Sequence, residues 1–130
     1  MAISTRLHGW IDYGAAISLG GLVLGGALSG RARRVAAVAT AVPVGYFLVT
    51  DYEAGLVGRL SMRRHLALDV AEGLLLCGAG LMMRRQPPAS RAILAAYGLG
   101  RFLLGLSTSH TPVRRPGQGS GPIARLLGSA

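Results

Sequence analysis

A chain of 130 residues that is 51% hydrophobic and only 15% charged, with a mean hydropathy of +0.45, is too apolar for a small soluble domain and points to a membrane protein. Its net charge of +9 comes from arginines without a single lysine, and these stand mainly where apolar segments end, at Arg31, Arg33, Arg34, Arg63, Arg84 and Arg85. That is the pattern of lipid-headgroup anchors and argues against nucleic acid as a partner.

Four apolar segments approach the roughly 20 residues that cross a bilayer's hydrocarbon core. They predict an all-α transmembrane four-helix bundle with helices at about 8–28, 34–50, 65–83 and 91–109. The first follows Met1 to Arg6 directly, without a cleavage site, so it is expected to remain in the mature protein. Ser4 stands four residues ahead of His8 and is expected to cap this helix. Along it, Gly14, Ser18, Gly21 and Gly25 follow heptad spacing and are expected to form a close-packing face. The glycines do not make a phosphate loop, because no strand precedes them and no Lys-Ser or Lys-Thr follows.

The second segment is short and contains Pro43, tolerable in a membrane helix whose neighbours satisfy the freed carbonyl. The 51–64 loop mixes apolar residues with charges and is expected to lie along the membrane interface, with Trp10, Tyr13 and Tyr52 as an aromatic belt. Ser61 repeats the capping position ahead of His65. Cys77 falls in the middle of the third segment; as the single cysteine it can form no intramolecular disulfide, and it is read as a small packing residue. The tail 111–130, rich in Pro and Gly and ending in the apolar patch Ile123 to Leu127, is expected to contact another subunit.

The first and third segments belong to a repeat with an offset of 57 residues: His8-x-x-x-Asp12 recurs as His65-x-x-x-Asp69. Each copy is a helical hairpin with two crossings, so both enter from the same side and are related by a pseudo-twofold axis along the membrane normal. Arginines are nearly balanced between the two sides, which leaves the orientation undetermined.

Two sets of charged residues fall inside the segments. Glu72 and Arg101 reach matching depths on consecutive antiparallel helices, and at the repeat offset their counterparts are the uncharged Ala15 and Val44. Compensating partners behave this way, so they are expected to form a buried ion pair, with Gly98 and Gly105 making room for Arg101. His8 with Asp12 and His65 with Asp69 share helix faces, and the twofold axis can gather them into one polar cluster. The simplest reading has the two aspartates facing positive helix ends and tying down loops. The alternative is a metal, haem or pigment site using His8, His65 and His110. No confident cofactor follows, and no nucleophile stands beside a matched base, so no catalytic residue is assigned and an enzyme is not expected.

The stretches Arg6-Leu-His8-Gly-Trp-Ile-Asp12-Tyr, Thr50-Asp-Tyr-Glu-Ala-Gly55 and Met62-Arg-Arg-His65-Leu-Ala-Leu-Asp69 resemble the SPW-repeat group of small bacterial four-helix membrane proteins, over about 4–110. The Ser-Pro-Trp triplet itself is replaced by Leu28-Ser-Gly30 and Arg85-Gln-Pro87. The resemblance implies two helical hairpins and no particular activity. Taken together, the expectation is a non-catalytic multi-pass protein of the bacterial inner membrane, an accessory subunit of a larger complex such as a respiratory or photosynthetic one. Its partners would be the bilayer and other membrane subunits; the alternative is a small transporter or cofactor-binding protein built on the His/Asp cluster.

Overall fold

The computed structural model describes residues 2–111 and contains, among them, four helices and no strand: α1 (Thr5–Leu24), α2 (Gly30–Val49), α3 (Met62–Met82) and α4 (Pro88–Ser107). The expected tail contact lies outside the described residues, apart from Thr111. Each helix begins three or four residues earlier than hydropathy places it. For three of them the reason is local: the Ser4 hydroxyl accepts from Leu7 N and the Ser61 hydroxyl from Arg64 N, while α4 starts on Pro88, whose missing N–H suits a first helical turn. Hydropathy averages over a window and cannot see a cap. The first helix also stops earlier, at Leu24, because Gly26 takes φ 75° and turns the chain toward α2.

α2 and α3 are long and apolar enough to cross a membrane. The tightest packing joins α3 to α4, and it is made of glycines. A Cβ on Gly98 would stand 2.5 Å from Cys77 N, one on Gly73 2.6 Å from Phe102 N, and one on Gly80 2.7 Å from Arg91 O. The two backbones therefore touch over nearly their whole length, with Gly105 continuing the contact against Val70. The small-residue face expected on α1 does not pack: a Cβ on Gly14 or Gly21 would meet nothing within 4 Å. Heptad spacing of small residues occurs on both helices, and it does not by itself say which one has a partner.

The repeat is visible in the hydrogen bonds. Thr50 and Thr108, just past the ends of α2 and α4, are both extended and pair in parallel with Leu60 and Ile3. Leu60 N donates to Val49 O and Ile3 N to Ser107 O, each at 2.8 Å. Each second helix is thus tied to the start of the other repeat's first helix. These pairings set the offset between α2 and α4 at 58, one more than between α1 and α3, since α3 is a residue longer than α1. The repeat counterpart of Arg101 is accordingly Pro43, not Val44.

The far half of the bundle is apolar, with Leu19, Leu28, Ala32, Ala36, Leu76 and Leu94 as its core. The near half holds the charges. The 51–61 connection folds back over the helix ends, with Leu56 N and Val57 N donating to Leu48 O and Asp51 N to Leu60 O. Tyr52 is carried inward by this fold and is 6% exposed, whereas Trp10 is 71% exposed, so the two do not form one belt.

Candidate functional site

His8, Asp12, His65 and Asp69 come together and are fully buried, each at 0% exposure. Their spacing explains how: positions i and i+4 share a helix face, and the two faces meet in the interior. His8 Nε2 lies 3.1 Å from His65 Nε2, and 3.0 Å from the Oδ2 atoms of both Asp12 and Asp69. His65 Nε2 lies 3.0 Å from Asp12 Oδ2 and 3.4 Å from Asp69 Oδ2. The aspartates therefore do not face helix ends, as the simplest sequence reading has it; they face two imidazoles and a guanidinium in the interior.

That guanidinium is Arg101, which reaches in from α4. Its Nη1 donates to Asp12 Oδ1 and its Nη2 to Asp69 Oδ1, so one planar fork spans both aspartates. Nε also donates to Glu72 Oε2 at 3.2 Å. Glu72 and Arg101 do meet, yet Glu72 is the third carboxylate on this cation and not its sole partner. Tyr46 completes the back of the hub: its hydroxyl faces Asp69 Oδ1 at 2.8 Å and Glu72 Oε2 at 3.0 Å, and accepts from Arg101 Nη2. Phe47 lies under the guanidinium, with the ring centroid 5.1 Å from Cζ, an arrangement that favours the cation.

The outer nitrogens of the histidines are held by a matched pair of threonines. Thr50 Oγ1 donates to Tyr46 O at 2.6 Å and stands 2.8 Å from His65 Nδ1. Thr108 Oγ1 donates to Leu104 O at 2.7 Å and stands 2.8 Å from His8 Nδ1. A hydroxyl has one proton, and in both threonines it is committed to a backbone carbonyl, so each Oγ1 accepts from an imidazole N–H. The network thus assigns the ring proton to Nδ1 and leaves Nε2 facing the hub.

Tyr46, Thr50 and Thr108 escaped the sequence reading. The signal exists: at an offset of 58, Thr50 aligns with Thr108, but a register held at 57 hides the match. His110, offered as a third ligand, is exposed beyond α4 and takes no part. Cys77 sits in the α3–α4 seam with Sγ 3.5 Å from Ala95 O, as a packing residue would.

Tyr52 roofs the hub, its ring centroid 5.3 Å from that of His65, and Gly9 is required beneath it, because a Cβ there would fall 2.8 Å from Cε2. Thr5 Oγ1 anchors the same loop through Glu53 at 2.7 Å, and Tyr13 donates to Ala54 O at 3.1 Å. The Tyr52 hydroxyl is buried with no hydrogen-bond partner, and burial pushes its pKa above the ordinary tyrosine range. Tyr52→Phe removes that unsatisfied group while keeping the ring, and should leave thermal stability in detergent unchanged or raise it by about 1 kcal/mol; a clear loss would mean that the hydroxyl has a role.

Comparison with protein-family models, curated proteins and solved structures gives no significant match, so what this site does must be argued from its own geometry.

Proposed function

We propose that the chain is a non-catalytic multi-pass membrane protein, crossing the bilayer four times, and that it serves as an accessory subunit of a larger membrane assembly. The observation that supports this is inverted polarity. Four ionisable side chains stand at 0% exposure in the interior, while Ile17, Leu24, Leu75, Leu81 and Met82 are 67–83% exposed outside. In water that surface would aggregate; in lipid it is the solvated face, and the charges are where a bilayer forces them to be. Two outward grooves, of roughly 580 and 430 Å³, flank the bundle at α2–α3 and α4–α1 and are lined largely by residues such as Val38, Val42, Leu68, Ile11 and Leu103, a surface suited to acyl chains.

α1 and α4 are drawn into the membrane by the same hub, since Asp12 and Arg101 cannot leave α3 without losing their partners. The closed hub lacks a nucleophile paired with a base, which favours a structural role over catalysis. The SPW-repeat resemblance supports the bacterial inner membrane as the location, and a subunit partner suits so small a bundle.

Topology tests this reading. With Cys77→Ser as background, single cysteines at positions 2, 58 and 111 should react with an impermeant maleimide from one side, and those at positions 27 and 85 from the other. Extraction by alkaline carbonate, or labelling of all five from one side, would end the four-crossing proposal. Pull-down in mild detergent then tests for the partner subunit.

A further inference from the structure

We propose that the hub is a closed, four-coordinate site for one divalent cation of the zinc class, ligated by His8 Nε2, Asp12 Oδ2, His65 Nε2 and Asp69 Oδ2. The proposal goes beyond the accessory role and does not depend on it, since it rests on the hub's own dimensions.

The first argument is metric. The His–His and four His–Asp separations among these atoms run from 3.0 to 3.4 Å. All four atoms lie within 4.8 Å of one another, and tetrahedral Zn²⁺, with bonds of about 2.0–2.2 Å to imidazole nitrogen and carboxylate oxygen, calls for ligand separations of about 3.3–3.6 Å, inside the range these atoms span.

The second argument concerns protons. With the ring protons on Nδ1 and the imidazoles neutral, every atom that points into the hub is an acceptor, and four acceptors at contact distance repel unless a metal cation, or a proton on each Nε2, lies between them. Asp69 Oδ2 shows the deficit directly: it is fully buried and makes no hydrogen bond, although His8 Nε2 is only 3.0 Å away. Charge tells the same story. With both imidazoles neutral, three carboxylates on one guanidinium leave a net charge of −2, which either one divalent cation or a second proton on each histidine brings to zero.

The third argument is the surrounding shell. Metal-bound histidines almost always donate their other N–H to a fixed acceptor, and here both do, to Thr50 and Thr108. The remaining oxygen of each aspartate is held by Arg101, so all four ligands are oriented from behind. Two nitrogens and two oxygens in a tetrahedron suit Zn²⁺ or Co²⁺. Mg²⁺ and Ca²⁺ want six or more oxygens, and Cu²⁺ prefers a tetragonal set. With four protein ligands and no exposure, no position is left for a substrate, so the metal would hold the bundle together and not catalyse.

The test uses the full chain in mild detergent, stripped with a chelator and then loaded with Zn²⁺ or Co²⁺. Metal analysis should give one ion per chain, and Co²⁺ should develop the intense visible bands of tetrahedral coordination. Asp69→Asn keeps the bond to Arg101 through Oδ1 but weakens the ligand, and should abolish those bands. Thr50→Val and Thr108→Val should each weaken Zn²⁺ by about 10–100-fold, with His110→Ala unchanged. A folded wild-type protein that takes up no stoichiometric Zn²⁺, or Co²⁺ bands that survive in Asp69→Asn, would overturn the proposal. So would nitrogen-15 spectra of the Zn²⁺-treated protein that show both histidines doubly protonated, since two protons would then occupy the hub. None of these outcomes alters the labelling pattern that tests the membrane topology.

Discussion

Arg101→Met should be the most damaging single substitution in this protein. It removes the guanidinium that bridges Asp12, Asp69 and Glu72, and it leaves two fully buried aspartates and the partly exposed Glu72 without that partner. Stripping one partner from a buried ion pair typically costs about 3–5 kcal/mol, because the remaining charge is stranded. Here two buried aspartates lose that partner at once, so the expected result is failure to accumulate, or a loss at or above that range in detergent unfolding followed by circular dichroism. Glu72→Gln should cost far less, since Glu72 is partly exposed and Tyr46 and Arg101 can still bond the amide oxygen.

The combinations discriminate further. If Glu72 and Arg101 were an isolated pair, removing both would restore stability. Because Arg101 also spans Asp12 and Asp69, Glu72→Ala with Arg101→Met should remain severely destabilised. Recovery should require the aspartates to be neutralised as well, as in Asp12→Asn, Asp69→Asn, Glu72→Gln and Arg101→Met together. Near-wild-type stability of the double variant would refute the four-member arrangement.

The second large effect should come from Gly98. A Cβ there would fall 2.5 Å from Cys77 N and 2.6 Å from Gly73 O, both backbone atoms that cannot swing aside. Gly98→Ala must push α4 away from α3, and overpacking of this kind costs about 1–3 kcal/mol, with Gly98→Leu costing more. The controls are built into the chain. A Cβ at Gly21 or Gly78 meets nothing, so alanine there should be neutral or stabilising by about 0.5–1 kcal/mol through helix propensity. Equal responses to alanine at Gly98 and Gly78 would show that the α3–α4 backbone contact does not exist as described.

Much of this protein is legible in its residues. Length and hydropathy determine four helices, because apolar runs of that size have few other ways to satisfy their backbones. The doubled His-x-x-x-Asp motif determines that two like faces exist. Serines ahead of each motif carry the helix starts, a local signal that depends only on neighbouring N–H groups.

What the sequence leaves open are matters of which face meets which. Glycines at heptad spacing occur on α1 and on α4; only the folded chain selects α4 for the backbone contact. The acid–base pair of Glu72 and Arg101 is visible as a matched depth, but the capture of Asp12 and Asp69 by the same guanidinium depends on how the two repeats dock. Thr50 and Thr108 depend on a one-residue slip between the repeats. Spacing along a helix fixes which side chains share a face, because that geometry is local. The rotation of one helix against another is set by the sum of contacts across the bundle, and it is this rotation that gathers His8, Asp12, His65 and Asp69 into one buried cluster.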